Sequence, residues 1–345
     1  MRNFAAMKYI INGSSLLIDA LKALNDLSGD VMTLLVINDH QQMVGTLTDG
    51  DVRRALLSGS SLESKVYDVM HRDFRFIVSH STPEDIKHAR QLGIALLPLL
   101  DDEHHIVEVY NLTKQITRLP IRAVLMAGGR GERMRPMTDT TPKPLLPLGN
   151  STVIDRNVNA LRRCGVKNIT VTTRYLAEQI ENHFNGTEVN CVREETPLGT
   201  LGALALVPIS DMGGHTLLMN SDLFTNIDFE ALYLQHVSEG NDITIATVSH
   251  AVSIPFAVLS TDGPRVVGID EKPVYTHYAN AGIYLISNRL LKDLKPERID
   301  APDFIANHIE QGAKVGHFPI TGTWLDIGTP ADYRQAQELL RLLPH

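Results

Sequence analysis

Ile121-Arg122-Ala123-Val124-Leu125-Met126 runs without a break into Ala127-Gly128-Gly129-Arg130-Gly131-Glu132-Arg133-Met134-Arg135-Pro136. An apolar run of strand length that ends in glycines predicts a β-strand turning into a loop. There, the missing side chains let backbone N–H groups approach an anion. Pro142-Lys143-Pro144 follows shortly. Between residues 120 and 148 stand five cations (Arg122, Arg130, Arg133, Arg135, Lys143) against two anions, Glu132 and Asp139. That local excess of +3 marks an anion trap. Two familiar phosphate loops do not fit it. A dinucleotide fingerprint needs a third glycine where Met134 stands, and the Gly-Lys-Ser/Thr of a P-loop occurs nowhere in the chain.

From this point toward the C-terminus, strand-like and helix-like segments alternate, the signature of an α/β sheet. Toward the N-terminus the pattern differs, and it repeats. Ser14-Ser15-Leu16-Leu17 is expected to cap and open a helix with apolar residues at 17, 20, 21 and 24. A strand at 33–37, a polar turn, a strand at 43–47 and a helix opening near Asp51 follow. The second copy begins at Ser81-Thr82-Pro83, with strands at 95–100 and 106–110. The expected order is helix, strand, turn, strand, helix, twice.

The 345 residues suggest about two domains. With 43% hydrophobic and 21% charged residues the composition is globular. A net charge of −8 provides no global field to recruit nucleic acid or anionic lipid. Cys164 and Cys191 cannot form a disulfide framework. The longest apolar run, Ile94 to Leu100, is too short to span a bilayer, and no signal peptide is legible after Arg2 and Lys8. A cytoplasmic protein with no nucleic-acid or membrane partner is expected.

The repeat resembles a tandem pair of CBS domains over residues 1–118, carried by Gly45-Thr46-Leu47-Thr48-Asp49-Gly50-Asp51 and Tyr67-Asp68-Val69-Met70. The resemblance implies an adenine nucleotide held by Thr48 and Asp51. In the second copy Asn111 and Lys114 occupy those positions and Glu108 stands for Gly45, a departure from the pattern. Ligand sensing and a purely packing or dimerising role are both open, and a homo-oligomer is expected because such pairs commonly associate.

Residues 121–345 are similar to a sugar-1-phosphate nucleotidyltransferase. The carriers are the glycine loop, with Glu132 and Met134 departing from the family pattern, together with Pro142-Lys143-Pro144. Four further elements come in the expected order: Asn220-Ser221-Asp222, Asp270-Glu271-Lys272-Pro273, Asn280-Ala281-Gly282 and Trp324-Leu325-Asp326. The expected architecture is an α/β Rossmann-like (GT-A-like) mixed sheet with helices on both faces, preceded by the CBS-pair α+β domain. By resemblance Arg133 binds the nucleotide's β/γ-phosphates and Lys143 the α-phosphate under attack. Ala127, Gly128, Gly129 and Gly131 cradle the nucleotide. Glu271, Lys272, Asn280 and Trp324 hold the sugar phosphate, and Asp222 and Asp326 hold Mg²⁺. A metal of this kind commonly takes one or two carboxylates plus substrate phosphates. No protein nucleophile is needed, because such transfer works by positioning and electrostatics.

Glu194, Pro197, Gly199 and Thr200 occupy the family's base-reading loop. Many uridylyl- and thymidylyltransferases have Gln where Glu194 stands. A carboxylate suits the adjacent N1–H and N2–H₂ donors of guanine better than an amide does, so GTP is favoured. CBS pairs ahead of such a domain resemble the glucosamine-1-phosphate guanylyltransferases of legionaminic acid synthesis, which favours glucosamine 1-phosphate. UTP, dTTP or mannose 1-phosphate are alternatives. The rival from another class is a non-catalytic nucleotide-sensing paralogue.

Overall fold

A computed structural model describes residues 7–208 and 214–342. It divides into two compact units. One ends at Arg118 and takes in Arg163–Gly165, and the other runs Leu119–Arg162 and onward from Val166.

The N-terminal unit contains the repeat as two three-stranded sheets of one plan. In the first, β1 (Ile10–Asn12) lies parallel to β2 (Thr33–Ile37), which lies antiparallel to β3 (Met43–Thr48). In the second, β4 (Ile77–Val78), β5 (Leu96–Leu100) and β6 (Ile106–Asn111) repeat that order and those directions. Helices Leu17–Asp26 and Pro83–Gln91 join the first two strands of each copy and bury Leu17, Ala20 and Leu24, and Ile86 and Ala89. Two expectations need correction. Ser14 and Ser15 do not cap the first helix: Leu16 holds the cap position, and the Ser14 hydroxyl instead donates to Asn12 Oδ1 at 2.7 Å. Among the described residues no closing helix lies between β6 and Ile121 either. After β3, Thr48 and Asp51 form a reciprocal capping box that starts helix Asp49–Leu57. Asn111 and Lys114 cannot reproduce it, because a lysine has no acceptor to return. Lys114 pairs with Asp30 at 3.0 Å, and Asn111 Oδ1 folds a local turn by accepting the Thr113 N–H at 3.0 Å.

The C-terminal unit is built on β7 (Ile121–Ala127), the short hairpin of β8 (Pro147–Leu148) and β9 (Ser151–Thr152), β10 (Asn168–Thr173), β11 (Val189–Arg193), β12 (His215–Asn220), β13 (Leu223–Thr225) and β14 (Ile243–Ser253). A hairpin of β15 (Val258–Asp262) and β16 (Arg265–Asp270) follows, then β17 (Val274–Ser287), β18 (Val315–Pro319) and β19 (Trp324–Asp326). The main sheet runs β11-β10-β7-β12-β17-β14-β18. Its first four strands are mutually parallel and β17 is antiparallel to both neighbours, so the sheet is mixed. Near-continuous burial along β7 is what a central parallel strand requires. On one face Val124, Leu218 and Tyr284 pack with Leu201, Leu204, Phe304 and Ile305. Ala123, Leu125 and Leu217 are buried on the other by strand alternation.

No helix among the described residues is long and apolar enough to cross a membrane.

Candidate active site

Parallel strands deliver their loops to one edge of a sheet, and ligands of open α/β sheets bind at those carboxyl ends. Here a cavity of about 540 Å³ opens at the ends of β7, β10, β11 and β12. It is lined by Ala127, Gly128, Gly129, Gly131, Arg133, Lys143, Glu194, Pro197, Gly199, Thr200 and Asp222, all singled out from the sequence.

The glycine loop shows why it matches neither discarded motif. Gly131 sits at φ +60°, a left-handed conformation in which a Cβ would meet the Thr138 methyl at 3.0 Å. Glu132–Met134 then forms a single tight turn. Met134, standing where a dinucleotide loop needs glycine, is fully buried against Leu146, Leu148, Phe224 and Ile327. It anchors the loop from below while Arg133 lines the cavity.

Asp222 and Asp326 are 104 positions apart in sequence, and a two-stranded ladder unites them. β13 and β19 pair antiparallel with Leu223 opposite Asp326, and Ile327 donates its N–H to the Asp222 carbonyl at 3.1 Å. Lys143 lies between the two carboxylates, 2.5 Å from Asp222 Oδ2 and 3.7 Å from Asp326 Oδ1. It is 9% exposed, in a tight turn flanked by two prolines. Burial, and next the Asp222 charge, raise the Asp326 carboxyl above the usual carboxylate range, against the pull of Lys143 and Arg133. Ser221 donates its hydroxyl to the Met126 carbonyl at 2.5 Å. That bond ties the tip of β12 to the end of β7. Among the described residues no group of three or more His, Cys, Asp or Glu side chains could hold a metal. The two-carboxylate set suits a hard cation that keeps water and takes the rest of its ligands from phosphate.

Glu194 is 7% exposed. Its Oε2 accepts the Leu198 N–H at 3.2 Å, and its Oε1 lies 2.8 Å from where a Cβ on Gly128 would be. The loop beyond it packs tightly. Gly199 has φ +73°, and a Cβ there would strike the Ile299 carbonyl at 2.6 Å. Thr200 exchanges bonds with the start of helix Ala301–Glu310, its N–H going to Asp300 Oδ1 at 3.2 Å and its hydroxyl accepting the Ala301 N–H at 2.6 Å.

Four residues expected around the sugar phosphate do not line this cavity. Glu271 and Lys272 lie in the exposed turn between β16 and β17, with Lys272 at φ +47°. Asn280 accepts the Gly282 N–H at 2.9 Å and donates to the Tyr284 hydroxyl at 2.8 Å. Trp324 donates its indole N–H to the Ala281 carbonyl at 2.9 Å. In the N-terminal unit Thr48 and Asp51 are close, their side chains bonded to each other at 2.6 Å, and Asp51 also pairs with Arg54. Conversely, Glu132, Pro144, Arg174, Asp300 and Gly328 line the cavity without having been singled out as site residues.

This geometry defines an α/β protein with a glycine-loop cavity beside a pair of carboxylates. Residues 122–341 match the family model for nucleotidyl transferase, and the chain belongs to that family. It is 31% identical over 225 residues to the mannose-1-phosphate guanylyltransferase catalytic subunit beta of Drosophila pseudoobscura pseudoobscura, covering 61% of this chain and 60% of that one. It is 28% identical over 227 residues to the protein of the same name from Danio rerio, covering 62% of each. The chain thus spans less than two thirds of the length of these curated relatives. The fold is shared with a solved Bacillus anthracis protein described as a glucose-1-phosphate thymidylyltransferase, at TM-score 0.52 and 23% identity. That match covers 65% of this chain and 97% of the other.

Proposed function

We propose that this chain transfers a nucleotidyl group from a nucleoside triphosphate, GTP by preference, to a hexose 1-phosphate. The observation that carries the reading is Lys143 held between Asp222 and Asp326 beside the glycine loop. An oxygen of the sugar phosphate attacks the α-phosphorus, a new P–O bond forms, the Pα–O bond to the β-phosphate breaks, and pyrophosphate leaves. Lys143 and Arg133 are the groups placed to offset charge on the α- and β/γ-phosphates. Asp222 and Asp326 would hold Mg²⁺, which when bound orients the two phosphates and screens their repulsion. The buried Glu194 carboxylate supports guanine as the base. No side chain needs to form a covalent bond.

The fusion of this unit to a repeat of CBS-like plan supports glucosamine 1-phosphate as acceptor. The names of the relatives support mannose 1-phosphate as the second reading. In this proposal residues 1–118 form a CBS pair that binds an adenine nucleotide at Thr48 and Asp51 and associates two copies of the chain in the cytoplasm. Pyrophosphate release measured across a matrix of GTP, UTP and dTTP with glucosamine, mannose and glucose 1-phosphates tests the reaction. Turnover confined to UTP or dTTP rejects the guanine assignment. Absence of turnover with every pair, with nucleotide binding intact, favours the non-catalytic sensor.

A further inference from the structure

Gly128, Arg174 and Glu194 are each the first residue beyond a strand, and the three strands (β7, β10, β11) are adjacent and parallel. Their registers match at the ends: Thr173 stands opposite Ala127 on one side and Arg193 on the other. Arg174 therefore emerges between Gly128 and Glu194, and all three line one cavity. The position of a Cβ on Gly128 would lie 2.8 Å from Glu194 Oε1 and 3.5 Å from Arg174 Cβ. Yet Arg174 makes no hydrogen bond or ion pair among the described residues. Glu194 is held instead by the Leu198 N–H. Strand order puts β12, with Asp222 just past its end, on the opposite side of β7. Arg174 is thus across the glycine loop from the carboxylate pair.

A guanidinium and a carboxylate that share a cavity without neutralising each other suit a ligand offering acceptors to one and donors to the other. Guanine does this along one continuous edge, with O6 and N7 as acceptors followed by N1–H and N2–H₂ as donors. The arginine fork matches O6 and N7 bidentately. Adenine puts an N6 donor where guanine has O6, and uracil has no N7. We propose that Arg174 is the second half of a guanine-reading subsite, donating to O6 and N7 while Glu194 accepts from N1–H and N2–H₂. The proposal rests on the nucleotidyl-transfer reading above for the identity of the ligand, and it names a specificity residue that the glycine-loop and base-loop motifs do not contain.

Calorimetric titration of the full chain with GTP, 7-deaza-GTP and UTP, each with Mg²⁺, tests it, alongside steady-state pyrophosphate release. The wild type should bind 7-deaza-GTP about 10-fold more weakly than GTP, within the range of a good bidentate base contact. Arg174→Ala should bind GTP about 10-fold more weakly and no longer distinguish the two purines. In pyrophosphate release its KM for GTP should rise about 10-fold, because a contact made equally in ground and transition states is read in binding. Arg174→Lys, which keeps the charge and loses the planar fork, should retain only part of the discrimination. Equal weakening of GTP, 7-deaza-GTP and UTP in Arg174→Ala, rescued by Arg174→Lys, would assign the residue to phosphate and overturn the proposal. Unchanged GTP affinity in Arg174→Ala would overturn it too. Tighter UTP than GTP binding by the wild type would remove it together with the guanine reading. Discrimination against 7-deaza-GTP that depends on Arg174, in a chain that releases no pyrophosphate, would support the subsite and refute only the catalytic reading.

Discussion

Two adjacent residues of the glycine loop, Gly128 and Gly129, should respond differently to the same substitution. Neither Gly128 nor Gly129 has a positive φ, so the backbone accepts alanine at both. A Cβ on Gly129 meets nothing within 4 Å. A Cβ on Gly128 lands 2.8 Å from Glu194 Oε1, closer than real Cβ atoms approach an oxygen, so the carboxylate must move. That carboxylate is 7% exposed and bonded through Oε2 to the Leu198 N–H. Breaking a hydrogen bond to a charged group costs about 1.5–3 kcal/mol, and partial re-formation after a small shift leaves about 1–2 kcal/mol. In a unit of this size that lowers Tm by about 2–4 °C for each kcal/mol. The displaced carboxylate also meets guanine in the wrong place, so nucleotide affinity should fall by about 10-fold for each 1.4 kcal/mol of misplaced contact. Thermal unfolding and calorimetric titration with GTP read the two effects. Gly129→Ala should match wild type in thermal stability, because its added methyl meets no protein atom. Equal stability of the two variants, or an unperturbed Gly128→Ala, would refute the tight approach of Glu194 to the loop.

Lys143→Ala, Arg133→Ala, Asp222→Asn and Asp326→Asn should each lower the rate of pyrophosphate release by about 100-fold or more, as loss of a charge-stabilising group at a reacting phosphate does. Near-normal rates in all four would sink the mechanism. Asp51→Ala should remove the capping box at helix Asp49–Leu57, at a cost of about 1 kcal/mol, and should abolish any rise in Tm that AMP or ATP produces in the wild type. His236 is fully buried between Thr244 and His215, and burial lowers its pKa to about 4 from 6.5. Between those two values the unfolded chain binds the proton and the folded chain does not, so stability is complete above pH 6.5. It should fall by about 3 kcal/mol on acidification to pH 4, and denaturant titrations across that window should show a larger loss in the wild type than in His236→Gln, where His215, its pKa also lowered by burial, still titrates.

Much of the site was legible in the sequence because local chemistry demanded it. A strand ending in glycines, and a lysine between two prolines, announce a loop and a fixed cation wherever they stand. The carboxylate pair was legible by ordered motifs, but its proximity depends on the β13–β19 ladder, whose three-residue strands have no distinctive periodicity. Arg174 escaped notice for a related reason. It belongs to no motif, and only the matched ends of β10 with β7 and β11 place it in the cavity. A cation directly after a strand in an α/β sheet is the signal that could have found it. The closing helix expected in the second repeat does not form, although the strand-then-turn pattern matches the first copy. The Asn111 and Lys114 substitutions that cost that copy its Thr48–Asp51-type pair also remove the cap that nucleates the helix. Glu271 and Lys272 are legible as a motif, while their distance from the cavity depends on the exposed turn that carries them.

The charge that matters also changes meaning once the residues are in place. In sequence, the segment around Arg133 and Lys143 is an island of +3 in a chain of −8. In space, the cavity is lined by Arg133, Lys143 and Arg174 against Glu132, Glu194, Asp222 and Asp300, so it holds more acidic than basic side chains. Lys143, the best placed cation, is engaged by Asp222 and faces Asp326 as well. A polyphosphate therefore meets no open positive basin. It meets isolated cations separated by carboxylates, one of which, Asp222, would pair with Asp326 as donors for a divalent cation in the proposed reaction. In the proposed reaction, partial neutralisation of Asp222 and Asp326 would free Lys143 to act on phosphate. The acidity of the site becomes the reason for expecting metal dependence, and the local excess of basic residues in sequence accounts for only half of the trap.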